Sequence, residues 1–138
     1  NGVLIKGGAA LEMAHKVDAV IFDKTGTLTH GKPWVTDYTI LAEGMDESTF
    51  WWLVGSAEAG SEHPLARAVV GYASARFPDK RLVDPAGFSS LTGKGVVCEV
   101  EGTAVRIGTR ELMGEHGVAL SPAQERRVQE LENMGNTV

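Results

Sequence analysis

The chain has 138 residues, of which 43% are hydrophobic and 22% are charged, as is typical of a folded globular domain. Its formal net charge of -5 disfavours a nucleic-acid partner, because such proteins concentrate positive charge on one surface. The single cysteine, Cys98, excludes an internal disulfide, and no apolar run reaches the roughly 20 residues that a membrane-spanning helix needs.

The first 32 residues are predicted to hold a turn, a short helix and one strand. Gly7 and Gly8 favour the turn, and the following run through Ala14 favours the helix. Residues 17–22 read Val-Asp-Ala-Val-Ile-Phe, which is typical of a strand buried on both faces of a parallel sheet. The polar residues 23–27 follow at the carboxyl end of that strand, where ligands bind in open α/β sheets.

A separate α+β domain is predicted to follow a break at residues 31–33, Gly-Lys-Pro. Residues 34–41 have the composition of a strand. Asp46 is predicted to be the N-cap of a helix that Gly60 ends. Pro64 is predicted to open a second helix, because proline is tolerated in the first helical turn.

The second half of the chain predicts a hairpin and a final helix. Two strands within 95–107 flank Glu101-Gly102, a plausible two-residue turn. Residues 121–124, Ser-Pro-Ala-Gln, have the pattern of a capping box, and Gly135 is predicted to end the helix behind it. Residues 137–138 resemble the start of a further strand, which suggests that the second domain is an insertion in the first.

Asp23 is a candidate nucleophile towards phosphorus, because aspartyl phosphates are an established form of covalent catalysis. Such chemistry needs a carboxylate, Mg²⁺ to offset charge, and backbone N–H groups around the phosphate oxygens. The turn from Lys24 to Thr27 would supply those N–H groups, and the Thr27 hydroxyl could donate to an oxygen. An Asx-turn at a strand end would also explain a lone aspartate.

The run around Asp23 resembles a known signature. Residues 22–29 read Phe-Asp-Lys-Thr-Gly-Thr-Leu-Thr, which is similar to the phosphorylation motif of P-type ATPases, a group with the haloacid-dehalogenase-like fold. The resemblance implies that Asp23 accepts the γ-phosphoryl group and that the Thr25 carbonyl helps it hold Mg²⁺. It implies that Thr27 contacts the phosphate. Lys24 would either offset charge near the nucleotide or be a solvated loop lysine.

Glu58 and His63 are candidate contacts to adenine. Because Pro64 follows it, His63 is expected at a helix start, where the positive end of the helix dipole favours a neutral ring that can stack on a purine. Glu58 could accept a hydrogen bond from the adenine amino group. The alternative is that His63 only caps a helix and Glu58 only meets water. Residues 58–65, Glu-Ala-Gly-Ser-Glu-His-Pro-Leu, resemble the nucleotide-binding motif of heavy-metal P-type ATPases, which favours the adenine role.

A glycine-rich loop is the third candidate element. Gly93-Lys94-Gly95 looks like the Gly-x-Gly loop of the same family, which implies that both glycines approach the nucleotide. A plain turn before a strand is the alternative. Phosphate and water are both open as partners of Lys94. At the position of Thr109 the family commonly has an asparagine, which is associated with the ribose-phosphate side of ATP. Threonine has a hydroxyl in place of the amide, so a contact from Thr109 to ATP would differ from that of asparagine.

The resemblance covers nearly the whole chain and implies its organisation. Residues 1–32 would be part of a haloacid-dehalogenase-like α/β phosphorylation domain, residues 33–135 an α+β nucleotide-binding domain with an antiparallel sheet flanked by helices, and residues 136–138 the return to the first domain. Residues 14–18, Ala-His-Lys-Val-Asp, look more like copper pumps than zinc or cadmium pumps.

The resemblance implies that the chain is the cytoplasmic ATP-binding part of a membrane-bound transport ATPase. ATP and Mg²⁺ would be its cofactors. The transported ion would be Cu⁺, which would bind elsewhere in the protein. Its partners would be the rest of the phosphorylation domain, an actuator domain and a transmembrane domain of the same chain. The isolated piece is expected to bind ATP without turning it over.

Two other functions stay open at this point. A soluble haloacid-dehalogenase-like phosphatase also uses an aspartate nucleophile, but it usually has a second aspartate two residues later, where this chain has Thr25. A non-catalytic nucleotide-binding module would leave the Asp23 loop without a purpose.

Overall fold

The computed structural model describes Leu4 and residues 6–138. The chain divides into two compact units, Asn1–Lys32 and Pro33–Val138. The assignment of these units to a phosphorylation domain and a nucleotide-binding domain stays a prediction.

The first unit contains helix α1, Gly8–Met13, which continues into a single 3₁₀ turn at Ala14–Lys16. The predicted short helix is therefore confirmed. The predicted strand at 17–22 is wrong, since these residues form no regular structure and Ile21 is 97% exposed. A parallel strand needs a neighbour for its backbone hydrogen bonds, and within Leu4 and residues 6–32 no strand is formed.

The second unit is built from four helices and a three-stranded sheet. The strands form an antiparallel sheet in the order β1-β2-β3, which confirms the predicted sheet type. In chain order the elements are α2, Glu47–Glu58; α3, Pro64–Arg76; β1, Ala86–Leu91; β2, Gly95–Val100; β3, Thr103–Gly108; α4, Arg110–Glu115; and α5, Pro122–Asn133.

The helices begin where the capping signals predict. The Asp46 carboxylate accepts the Thr49 N–H at 3.0 Å, and hydrogen bonds from Ser48 and Thr49 lower the pKa of this carboxyl. Pro64 is the first residue of α3. Ser121 and Gln124 form the capping box in both directions at the start of α5. Local sequence signals therefore set these three helix starts.

The hairpin between β2 and β3 also follows its sequence signal. Glu101 and Gly102 have φ angles of +44° and +80°. Positive φ angles at both central residues are what a two-residue hairpin turn requires if it is to match the right-handed twist of its strands. At the other end of the hairpin, Gly95 pairs with Gly108. The predicted hairpin is confirmed.

The core of the second unit forms where α2 meets α3 on one side and the sheet on the other. Trp51 is 3% exposed and lies between Tyr38 and Tyr72, with ring centroids at 5.1 Å and 4.5 Å. Ser56 is fully buried, and its hydroxyl accepts the Val83 N–H at 3.2 Å. The other buried apolar residues are Ala57, Ala66, Ala73, Val96, Val100 and Leu112.

The predicted strand at 34–41 is wrong. The segment has no strand conformation and does not pair with the three-stranded sheet. The Asp37 carboxylate accepts the Tyr38 N–H at 2.9 Å and pairs with Arg127 of α5 at 3.0 Å. The Tyr38 ring packs edge-on against Trp51. Residues 137–138, which resemble the start of another strand, also form none.

Gly95→Ala tests the close backbone contact between β2 and β3. A Cβ at Gly95 would lie 2.1 Å from the Ile107 carbonyl oxygen, and the φ of +141° disfavours other residues. We expect the variant to lose roughly 2–4 kcal/mol of unfolding free energy, measured by denaturant titration without nucleotide. The control is Gly71→Ala in α3, where a Cβ meets nothing within 4 Å outside the helix. It should be neutral or stabilising by up to about 1 kcal/mol. Equal stabilities for the two variants would contradict the prediction.

Candidate functional site

Glu58 is a buried carboxylate at the carboxyl end of α2. The residue is 8% exposed, and none of the ion pairs between described residues includes it. Burial raises the pKa of Glu58, and the nearby His63 partly offsets this effect. The two roles considered for Glu58, a contact to adenine and a contact to water alone, both stay predictions. A buried acceptor of this kind suits a ligand that brings a hydrogen-bond donor.

His63 is the N-cap of α3, and its ring is held by one edge. The ring Nδ1 accepts the Leu65 N–H at 3.2 Å, and the backbone N–H of His63 donates to the Ser61 hydroxyl at 3.2 Å. An accepting Nδ1 carries no proton, so in this arrangement Nε2 is the ring nitrogen that can donate a hydrogen bond. The residue is exposed, so a ligand can reach the ring. Capping and stacking are therefore compatible roles for His63.

A depression of about 320 Å³ opens between the end of α2 and the outer side of α3. Its lining consists of Glu58, Ala59, Ser61, Arg67, Val70 and Gly71. Arg67 was not predicted as a site residue, although it stands four positions after His63 and so on the same helix face. The depression is thus lined by both a hydrogen-bond acceptor, the Glu58 carboxylate, and a hydrogen-bond donor, the Arg67 guanidinium. His63, Gly93 and Gly95 do not line it.

The glycine loop has the backbone geometry of a tight turn. Gly93 has a φ of +74° with open space around it, and Gly95 begins β2. Lys94 between them contacts α4, since its ammonium pairs with Glu111 at 2.8 Å and Glu115 at 2.6 Å. These carboxylates raise the pKa of Lys94. The partners of Lys94 are therefore two acidic side chains that the sequence patterns did not indicate.

Thr109 is the N-cap of α4. Its hydroxyl accepts the Leu112 N–H at 3.4 Å, and its own N–H donates to the Lys94 carbonyl at 2.8 Å. The backbone thus joins Thr109 to the glycine loop. The contact to the ribose-phosphate side of a nucleotide that was expected for Thr109 stays a prediction.

The Asp23 loop lies in the first unit and is shaped by Thr29, which was not predicted as a site residue. Asp23 is exposed and precedes a π-helical turn at Lys24–Leu28. The Lys24 carbonyl accepts the Thr29 N–H at 3.1 Å and the Thr29 hydroxyl at 3.3 Å. The Gly26 N–H donates to the same hydroxyl at 3.3 Å. One N–H of the expected phosphate cradle is therefore directed to Thr29 here.

The part of the chain that the structure describes has neither a metal-ligand cluster nor a membrane-spanning helix. Within Leu4 and residues 6–138, no group of three or more His, Cys, Asp or Glu side chains could hold a metal ion. In the same part of the chain, no helix combines the length and apolar character needed to cross a bilayer.

The comparisons with known proteins agree with one another on the family. The haloacid dehalogenase-like hydrolase family matches residues 17–138. The chain is 47% identical to the copper-transporting ATPase RAN1 of Arabidopsis thaliana, over 99% of this chain and 15% of that protein. It is 41% identical to a copper-exporting P-type ATPase of Staphylococcus haemolyticus, over 100% of this chain and 16% of that protein.

A solved structure agrees with these relatives. The crystal structure of a zinc-transporting PIB-type ATPase in its E2.Pi state matches with a TM-score of 0.68 and 39% identity, over 94% of this chain and 20% of that chain. This chain therefore spans about 15% of the length of the curated relatives that it matches. It belongs to the haloacid dehalogenase-like hydrolase family, and its homologues there are heavy-metal P-type ATPases.

Proposed function

We propose that this chain is the ATP-binding portion of a P-type ATPase. The observation that carries the proposal is Glu58, a buried carboxylate at the edge of a depression of about 320 Å³, which takes part in none of the ion pairs between described residues. Burial of an ionised group without a partner costs stability, and such sites are typically functional. The adenine amino group is a donor that this carboxylate can satisfy.

His63 and the glycine loop complete the proposed nucleotide site. The exposed ring of His63, fixed by its hydrogen bond to the Leu65 N–H, would stack on the adenine. Gly93 and Gly95 would let the backbone approach the nucleotide, since neither has a side chain. Thr109 would reach the ribose-phosphate side through its hydroxyl.

Asp23 is the proposed acceptor of the γ-phosphoryl group. The carboxylate of Asp23 and the carbonyl of Thr25 are hard oxygen donors of the kind that Mg²⁺ prefers, and the ion would offset phosphate charge there. Lys24 and Thr27 would add a positive charge and a hydroxyl donor. Attack by the Asp23 carboxylate on the γ-phosphorus forms the acyl-phosphate bond and releases ADP.

The intact protein would couple this ATP chemistry to the transport of a heavy-metal cation. Copper(I) is the proposed ion because the relatives RAN1 and the S. haemolyticus protein are copper transporters by name. The match to a zinc-transporting structure suggests that the ATP-binding region is shared between metals. The other parts of such a protein, a transmembrane domain, an actuator domain and the rest of the phosphorylation domain, would be its partners, with this portion in the cytoplasm.

Two substitutions of His63 separate stacking from helix capping. His63→Asn removes the ring but keeps a side chain that caps helices well, whereas His63→Ala removes both. We expect both variants to lose about 5- to 150-fold in ATP affinity by isothermal titration calorimetry, as the loss of one base stack implies. Only His63→Ala should also lose about 1 kcal/mol of unfolding free energy. Wild-type affinity in His63→Asn would rule out the stacking role.

Glu58→Gln tests whether the buried carboxylate lowers stability. Because burial raises its pKa, Glu58 binds its proton more tightly in the folded than in the unfolded chain. The free energy of unfolding therefore falls as the pH rises from the ordinary value of 4.5 through the raised value. The variant should lack this fall and be up to about 1 kcal/mol more stable at pH 7, by denaturant titration across pH.

The matched control for Glu58→Gln is Glu62→Gln, which removes a charge from an exposed neighbour. Its stability should stay within about 0.5 kcal/mol of wild type at each pH. A Glu58→Gln variant that is less stable than wild type at pH 7 would mean that the carboxylate has a stabilising partner instead.

A further inference from the structure

Lys94 joins the glycine loop to α4 through both its side chain and its backbone. We propose that Lys94 is a positioning residue that holds Gly93, Gly95 and Thr109 as one rigid edge of the nucleotide site, and that it does not itself bind phosphate. The proposal rests on the ATP-binding function proposed above.

The side-chain connection involves two successive turns of α4. The Lys94 ammonium lies 2.8 Å from the Glu111 carboxylate and 2.6 Å from that of Glu115. Residues 111 and 115 are four apart, so both carboxylates face the same side of the helix. The Lys94 side chain is 34% exposed, which makes it the most buried member of the three. The ammonium is therefore held from two directions.

The backbone connection reinforces the side-chain one. The Lys94 carbonyl accepts the Thr109 N–H at 2.8 Å, directly before α4 begins. Beside it, Gly95 and Gly108 pair so closely that a Cβ on Gly108 would lie 2.0 Å from the Lys94 carbonyl oxygen. A shift of Lys94 would therefore move the glycine loop and Thr109 together.

The local charge argues against a phosphate-binding role. One ammonium faces two carboxylates, so the cluster of Lys94, Glu111 and Glu115 has a net charge of -1. A phosphate would have to displace a carboxylate from Lys94 while being repelled by both. Holding a loop in its binding conformation raises affinity without any direct contact, because less ordering is needed on binding.

The test compares ATP with adenosine, which lacks the phosphates, in titration calorimetry of the 138-residue chain. Lys94→Gln should weaken both ligands, by about three- to tenfold for ATP, because the whole edge loosens. The double variant E111Q/E115Q should do the same. Lys94→Arg keeps the positive charge between the carboxylates and should restore both affinities to within about twofold of wild type.

A different pattern would overturn the positioning role. If Lys94 bound phosphate, Lys94→Gln would weaken ATP alone, and E111Q/E115Q would strengthen ATP binding by freeing the ammonium. Affinities in Lys94→Gln that match wild type for both ligands would also overturn it. So would a loss that Lys94→Arg fails to restore.

Amide hydrogen exchange without nucleotide tests the link independently of the ATP-binding function. We expect faster exchange at the Thr109 N–H in Lys94→Gln, with wild-type exchange in Lys94→Arg and an unchanged midpoint of global unfolding. Unchanged exchange at Thr109 in Lys94→Gln would overturn the role of Lys94 alone. Failure of the wild-type chain to bind either ligand would instead overturn the proposed function.

Discussion

The packing of α2 against both α3 and the sheet determines the arrangement of the second unit. The buried ring of Trp51 anchors the middle of this helix among other aromatic side chains. Closer to its end, Ser56 accepts a backbone N–H from residue 83. Because the helix is fixed along its length, its last residue, Glu58, is held in a buried position, where it takes part in none of the ion pairs between described residues. The core therefore creates the electrostatic feature on which the candidate site depends.

Local signals predicted much of the second unit because their physics is local. The N-cap at Asp46, the capping box at Ser121 and the turn at Glu101-Gly102 each involve residues within three positions of one another. Such contacts form whatever surrounds them, so the sequence alone specifies them.

Strands outside the β2–β3 hairpin could not be predicted in the same way, because a strand requires a partner that lies far away in the sequence. Residues 17–22 are rich in β-formers, yet no described neighbour in their unit offers them a backbone ladder. Residues 34–41 fail for a different reason. Asp37 binds the next backbone N–H and pairs with Arg127, 90 positions away, and Tyr38 joins the aromatic core. Tertiary contacts outweighed the β propensity of that segment.

The candidate site was also predictable only in part. The pattern from Glu58 to Leu65 indicated which residues to examine, and the structure brings Glu58 and His63 close enough to interact electrostatically. The burial of Glu58 depends on the whole core, and the pairing of Lys94 with Glu115 joins residues 21 positions apart. Neither has a local signature. A motif identifies side chains by type, whereas their charge state depends on partners that only the folded chain assembles.

His63 illustrates why structural and functional interpretations of one residue need not compete. Its Nδ1 is used by the backbone of α3, which removes the freedom of the ring to rotate. A ring already fixed in this way loses little conformational entropy when a flat ligand covers its face. The hydrogen bond that stabilises the helix start therefore also prepares the surface on which a purine could stack. The same reasoning applies to Lys94, whose ion pairs stabilise a loop in advance of any ligand.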